Sequence, residues 1–238
     1  MSKDLLSIIE LGAKELDINL PPEANASFSS YHKFLAERGS SFNLTAISKE
    51  EDVARLHFLD SIALLKATKF ENATVIDVGS GAGFPGIPLK IAEPSIILTL
   101  LDATGKRVNF LSDLCNLLSI DASFIHARAE DSSQEHNMRE RYDIAVSRAV
   151  ARLNVLCELC LPFVRIGGMF IAMKGVDSED ELIEAGNAIE VLGAKPLDCY
   201  DYTIPGTDIV HRAVLLRKIA ETPKQYPRRF ARIQKAPL

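Results

Sequence analysis

No stretch of this sequence is long and apolar enough to cross a bilayer. Its apolar runs are broken by charge or proline well short of the roughly 20 residues a spanning helix needs. The start, Met1-Ser2-Lys3-Asp4, leads into a mixed polar and apolar pattern and lacks the layout of a secretion signal. A cytoplasmic chain with no membrane partner is expected. Cysteine is scarce: Cys115, Cys157, Cys160 and Cys199 are too few for a disulfide scaffold. Cys157 and Cys160 form a CxxC, but no second CxxC or histidine pair completes a tetrahedral metal site. They lie in the leucine-rich run 153–161, which reads as a buried helix where free cysteine packs as a small hydrophobe. No metal is expected. Internal repeats and low-complexity segments are lacking as well. Net positive charge is also missing: the balance is −5, which excludes a uniformly basic nucleic-acid binder.

What is present is ordinary globular material, 238 residues that are 47% apolar and 25% charged, enough for one good core. The charge is unevenly spread. Seven of the 27 Lys and Arg, but only Glu221 among the 32 Asp and Glu, fall after residue 216. Such a basic end reads either as a local footprint for a polyanion or as a solvated tail.

The first seventy residues read as helical. Leu5, Ile8, Ile9 and Leu16 make a loose apolar face; Phe28, Tyr31, Phe34 and Leu35 make a better one, closing near Gly39. Ser48 and Glu51 have the spacing of a capping box, ahead of a helix with Val53, Leu56, Leu59, Ile62 and Ala63 on one side. From residue 74 short β-rich runs (74–78, 96–101, 123–126, 143–147, 169–173) alternate with helical stretches near 86–93, 105–119, 151–163 and 178–192. That alternation predicts a parallel sheet covered on both faces. The last two runs, 200–204 and 211–217, are joined by Pro205-Gly206-Thr207-Asp208 with no room for a crossover, so they should pair antiparallel. The expected fold is therefore α/β: a class I methyltransferase, Rossmann-like, with a seven-stranded, mostly parallel sheet, one antiparallel strand and an N-terminal helical extension. The expected organisation is an extension over 1–70 packed on the core, a cofactor-binding core over 71–218 and a basic tail over 219–238.

The most informative stretch is Val75-Ile76-Asp77-Val78-Gly79-Ser80-Gly81-Ala82-Gly83-Phe84-Pro85-Gly86. A strand ends and a glycine-rich turn opens a helix; glycine permits positive φ and close approach of a ligand. In open α/β sheets such a loop borders the ligand crevice. Gly81, Gly83 and Gly86 satisfy the dinucleotide pattern GxGxxG, which alone is a weak signal. Asp77, two residues before Gly79, tilts the choice. A carboxylate there opposes a pyrophosphate but favours the sulfonium and ammonium of S-adenosyl-L-methionine. Asp102, after the second strand, suits ribose hydroxyls and serves either cofactor. Read bare, Glu130 and Asp131 are polar loop residues, Arg148 is a surface arginine and His57 is equally a helix-packing histidine.

Together these motifs resemble the bacterial RsmG family (glucose-inhibited division protein B), which methylates N7 of a guanine in the 530 loop of 16S ribosomal RNA. The resemblance rests on Phe42-Asn43-Leu44-Thr45-Ala46-Ile47, His57-Phe58-Leu59-Asp60-Ser61, and the Asp77 loop with its extension to Ile87-Pro88. It continues through Asp102, Lys106-Arg107, Phe110-Leu111, Ala129-Glu130, Ser147-Arg148-Ala149, Gly167-Gly168 and Lys174-Gly175. It implies that Asp77, Gly79, Gly81 and Phe84 line the cofactor, with Asp102, Ala103 and Thr104 at the ribose, Ala129 and Glu130 near the adenine, and Arg148 at the mouth. It makes Asn43, Thr45, His57, Asp60, Ser61, Arg148, Arg228 and Arg229 candidates for contacting RNA or shaping the pocket. The partner implied is 16S ribosomal RNA or a small-subunit particle, bound by a monomer. The tail fits the family's basic ending except at Phe230-Ala231-Arg232-Ile233-Gln234, which lacks the usual glycine and proline.

Elimination points the same way. Guanine N7 carries a lone pair and no proton, so no general base is required, and none is evident. An N6-adenine or N4-cytosine enzyme would carry an Asn/Asp-Pro-Pro-aromatic motif where this chain reads Ser147-Arg148-Ala149-Val150. A C5-cytosine enzyme would need a nucleophilic cysteine. Two alternatives stay open: an NAD(P)-dependent oxidoreductase, disfavoured by Asp77 and by the lack of a Tyr-x-x-x-Lys pair, and a non-catalytic ribosome-assembly protein on the same scaffold.

Overall fold

The computed structural model describes residues 4–38, 49–148 and 151–238. Helices α1 (Leu5–Glu15) and α2 (Ala24–Arg38) carry the expected apolar faces, with Ile8, Ile9, Phe28 and Tyr31 all buried. The expected capping box cannot be followed to the next helix start. Ser48 lies outside the described residues, and α3 (Glu50–Val53) is capped by Lys49 without a side-chain bond. Glu51 pairs with Arg55 at 2.9 Å. The helix then widens into a π-helical segment, Ala54–Leu59, before α4 (Asp60–Ile62) and a 3₁₀ turn, Ala63–Lys66. Such widening is common where side chains serve a site.

The rest alternates as the sequence predicts: β1 (Thr74–Val78), α5 (Gly86–Ala92), β2 (Ile97–Asp102), α6 (Gly105–Leu118), β3 (Ala122–His126), α7 (Ala129–Ser132), β4 (Tyr142–Arg148), α8 (Leu153–Cys160) and β5 (Val164–Gly175). Two helical stretches differ from expectation. Residues 161–163 turn 3₁₀ around Pro162, and the single helix expected over 178–192 is two, α9 (Glu179–Glu184) and α10 (Gly186–Val191), parted where glycine weakens the helix. Strands β6 (Ala194–Pro196), β7 (Tyr200–Thr203) and β8 (Val210–Lys218) and helix α11 (Phe230–Lys235) complete the chain.

The sheet runs β3-β2-β1-β4-β5-β8-β6, and β7 also pairs β8. The first five strands are parallel and β8 is antiparallel to β5. The short strands β6 and β7 share the outer edge of β8, at Leu216–Lys218 and Val210–Ala213 respectively, so seven strand positions hold eight strands. β6 is too short for a period-2 pattern to reveal.

Successive side chains of a strand point to opposite faces. Val75, Leu98, Leu100, Ile144 and Val146 face α1, α2, α5 and α6, whereas Ile76, Leu101, Ala145, Phe170 and Val214 face α8, α10 and α11. Cys157 and Cys160 are fully buried in the second layer, and burial pushes both thiols above their ordinary pKa. The first layer runs unbroken from α1 to the sheet, so the N-terminal helices share the core rather than sit outside it.

Candidate cofactor crevice and its mouth

The loop after β1 is built by its own sequence. Gly79, Gly81 and Gly83 have φ of 77°, 57° and 102°, a region unfavourable to residues with a Cβ. Gly79 N and Ser80 N donate to the Leu101 carbonyl at 2.8 and 3.1 Å, locking the loop to the end of β2. From the other side Tyr31 Oη donates to the Ala82 carbonyl at 2.6 Å, and its ring stacks on Phe84 at 5.3 Å. A Cβ on Gly83 would meet Tyr31 Oη at 2.7 Å.

Two carboxylates organise this loop by different means. Asp77 is fully buried; its Oδ2 accepts from Gly86 N at 2.9 Å, tying the strand end to the start of α5. Its Oδ1 is buried without a hydrogen-bond partner among the described residues. Burial raises its pKa to about 7, against the pull of the Gly86 bond and of Arg148. Asp102 accepts from Gly81 N at 3.1 Å and Thr104 N at 2.8 Å, and Arg107 Nη1 lies 3.6 Å away. A carboxylate has about four acceptor sites, so Asp102 can accept a hydroxyl besides.

Above this loop lies a cavity of about 430 Å³, whose lining includes Gly79, Gly81, Phe84, Asp102, Thr104 and Arg148. Gly79 and Ala103 also border a second, mostly apolar slot of about 130 Å³ walled by Leu101, Ala129, Glu130 and Phe230. The expected cofactor residues therefore converge on one crevice at the carboxyl ends of β1 and β2, with Asp77 beneath it.

The mouth is assembled from distant segments. The His57 ring stacks on Phe84 at 4.5 Å, and the Arg148 guanidinium sits over the same ring at 4.8 Å. Arg148 Nη2 lies 3.1 Å from His57 Nδ1. His57 Nδ1 also lies 3.0 Å from the Leu56 carbonyl, so the imidazole is held between a donor and an acceptor on the same nitrogen. Burial, then Arg148, lowers the His57 pKa to about 4, so the imidazole is neutral. Arg148 is held by the Leu56 carbonyl at 3.1 Å and by Asp60 Oδ2 at 3.3 Å. Asp60 Oδ1 in turn accepts from Tyr202 Oη at 2.7 Å and pairs with His211 Nδ1 at 2.8 Å. That bond raises the His211 pKa, against the effect of burial.

The residues expected to contact RNA or shape the pocket lie in different surroundings. Asp60 and Ser61 are buried away from the cavity; Ser61 Oγ donates to the His57 carbonyl at 2.6 Å within the π-helical turn. Arg228 is engaged by Glu158, with Nη2 at 2.6 Å from Oε2 and Nε at 2.9 Å from Oε1. Its charge is neutralised inside the protein, while Arg229 is exposed. Asn43 and Thr45 lie outside the described residues. Tyr31, Tyr202, His211 and Phe230 were not foreseen from sequence as site residues. For Tyr202 and His211 a signal existed, because register makes them cross-strand partners in the hairpin.

The fold is shared with solved structures. The M. jannaschii TYW2 structure in complex with AdoMet superposes with a TM-score of 0.51 at 16% identity, covering 67% of this chain and 77% of that one. A Burkholderia thailandensis 1,6-didemethyltoxoflavin-N1-methyltransferase, solved with S-adenosylhomocysteine, gives 0.54 at 15% identity, covering 85% and 92%. Strand order and these likenesses thus give the class I methyltransferase fold, α/β with one antiparallel strand. The family described as rRNA small subunit methyltransferase G matches residues 24–205. The ribosomal RNA small subunit methyltransferase G of Alkaliphilus metalliredigens is 45% identical over 97% of this chain and 98% of its own. That of Clostridium beijerinckii is 43% identical over 97% and 98%. This chain belongs to that family.

Proposed function

We propose that this protein transfers a methyl group from S-adenosyl-L-methionine to N7 of a specific guanine in the 530 loop of 16S ribosomal RNA. The observation that carries this reading is the convergence of the Gly79–Gly83 loop, Asp102 and the Phe84-His57-Arg148 cluster on one crevice. The residues fit the cofactor. The unpartnered Asp77 Oδ1 suits a positively charged amino-acid end; Asp102 suits the ribose; the slot at Ala129 and Glu130 suits the adenine.

When bound, the cofactor supplies an electrophilic methyl on a sulfonium. The residues of this chain bind and orient. In this reading Asp77 sets the depth of the amino-acid end, and Asp102 sets the rotation of the ribose. Phe84 is packed by Tyr31, His57 and Arg148, so it does not yield and it holds the latter two at the mouth. Arg148, anchored by Asp60, is a fixed donor at the mouth, suited to guanine O6 or a phosphate. Guanine N7 needs no deprotonation, and the neutral His57 is consistent with a site that moves no proton. Alignment of reacting atoms alone supplies a large part of such a rate.

Exposed Arg229, Arg232 and Lys235 supply phosphate contacts from the tail. The extension over 1–70, the core over 71–218 and the tail over 219–238 act in this reading as one cytoplasmic monomer. Purified protein incubated with 16S RNA or small-subunit particles should give N7-methylguanosine in the 530 loop; methylation at another atom, or none on either substrate, overturns it.

A further inference from the structure

The basic tail does not trail away from the body. Thr222 N donates to Glu140 Oε1 at 2.7 Å; Arg139 donates to the Thr222 and Tyr226 carbonyls at 2.7 and 3.0 Å; Gln134 Nε2 donates to the Pro227 carbonyl at 3.1 Å. The buried Lys218 meets both Thr222 Oγ1 and Glu140. Then comes the firmest hold. Glu158, fully buried on α8, receives the Arg228 backbone amide at 2.7 Å as well as its guanidinium at 2.6 Å. Isolated carboxylates are not left in apolar layers, so Glu158 fixes where the tail must lie.

What this fixes is α11, directly after Arg228. Its two sides differ. Ile233 is fully buried against the second core layer, and Phe230 turns inward as well. Ala231, Arg232, Gln234 and Lys235 are exposed, as is Arg229. Phe230 forms a wall of the 130 Å³ slot shared with Gly79, Leu101, Ala129 and Glu130, and the Arg128 guanidinium braces the ring at 5.4 Å. This slot is too small for a whole cofactor. It opens beside Gly79 and Ala103, the residues that also border the main cavity. Its walls are mostly apolar, with one aromatic, one buried carboxylate and the Arg128 guanidinium behind the aromatic, surroundings that suit a purine ring: a face to lie against and an acceptor for an exocyclic amine.

We propose that Phe230, delivered by the Arg228–Glu158 pair, is a cofactor-binding residue that forms the outer wall of the adenine slot. The C-terminal tail is then part of the nucleoside site, and the same short helix shows bases to the outside. RNA that engages Arg229, Arg232 and Lys235 would hold the wall shut, and by linkage a bound nucleoside would favour RNA binding by the same factor. This inference rests on the cofactor reading above.

The sequence contains no tryptophan, so Phe230→Trp places a single indole in the slot. Its emission should change on titration with S-adenosylhomocysteine and saturate at the affinity given by calorimetry. Phe230→Ala should weaken S-adenosylhomocysteine about tenfold, a typical loss for removing an aromatic from a base. It should weaken 5′-methylthioadenosine, which lacks the amino-acid end, by a similar factor. Thermal denaturation checks that both variants are folded. Unchanged affinity in folded Phe230→Ala, with no emission change in Phe230→Trp, overturns the assignment while leaving the cofactor site intact. A wild-type chain that binds neither ligand overturns the cofactor reading and this one with it.

Discussion

Two arginine–carboxylate pairs, Arg148–Asp60 and Arg228–Glu158, hold the mouth of the crevice and the C-terminal tail respectively. At the mouth the carboxylate is shared: Asp60 serves Arg148, Tyr202 and His211 at once, so three segments meet on one side chain. At the tail the carboxylate serves one residue, through its guanidinium and its backbone amide. The first arrangement orients a donor that faces the cavity. The second fixes where a stretch of backbone lies. Burial and charge are alike in both, and the number of partners sets the role. Removing one member of a buried pair leaves the other charge uncompensated, so both should be costly, by different routes.

The largest effect is expected at the mouth. Asp60→Ala leaves Arg148, Tyr202 and His211 without their common acceptor and should cost about 4 kcal/mol of stability in urea denaturation. Asp60→Asn keeps the size, and should lower kcat of methylation more than it raises KM; equal affinity and rate to wild type would end the orienting role. Next is Glu158→Gln, which should cost about 2 to 3 kcal/mol and free the tail. Proteolysis should then cut after Arg228 or Arg229 in the folded variant, and protection as in wild type would show that Glu158 does not hold the tail.

A third test separates the two regions by pH. His211 has a raised pKa because Asp60 holds its protonated form. Its contribution to stability is present in full below its unfolded value, about 6.5, and is lost as pH rises through the raised folded value. His211→Gln should therefore be more destabilising at pH 6 than at pH 9. His211 and Asp60 belong to the mouth alone, so an equal deficit at both pH values would show that the mouth does not depend on a protonated His211.

Asp77 gives a smaller effect with a clear sign. Its carboxyl is held up near 7, so the folded chain keeps a proton that the unfolded chain releases above about pH 3.9, and Asp77 progressively weakens the fold from pH 4 to 7. A cationic amino-acid end favours the carboxylate. Affinity for S-adenosylhomocysteine should rise as pH approaches 7 from below, by up to about tenfold per unit, and Asp77→Asn should flatten that slope in calorimetry. The smallest effect is expected on RNA. Neutralising Arg229, Arg232 and Lys235 together should reduce the slope of log affinity against log salt by about two, each lost phosphate contact contributing about 0.7 to 0.9. Arg228→Gln should alter stability far more than that slope.

The parts of the site that could be read in the sequence are those written in consecutive residues. Strand, glycine turn and helix follow one another between Val75 and Ala92, and Asp102 stands at a strand end; local periodicity and spacing suffice for both. Tyr31 and Tyr202 are different. Each is one aromatic among several on an apolar face, and only long-range packing places its hydroxyl against Ala82 or Asp60. The π-helical segment at Ala54–Leu59 escaped notice because apolar periodicity describes an ordinary helix equally well. Arg228 was counted with the outward bases, since composition does not tell which base meets a carboxylate. A clue lay elsewhere: Glu158 is the lone acid in the leucine-rich run 153–161, and a buried acid there calls for a partner.

The bond from Tyr31 to the loop carbonyl of Ala82 reaches beyond packing. It makes the glycine turn contingent on a helix fifty residues upstream, so the two should open and close together in hydrogen exchange. A fragment beginning at residue 71 would keep every glycine of the turn yet lose the hydroxyl that fastens it and the ring that backs Phe84. Grafting this turn onto another parallel sheet would meet the same obstacle, because part of its shape is stored in a distant tyrosine.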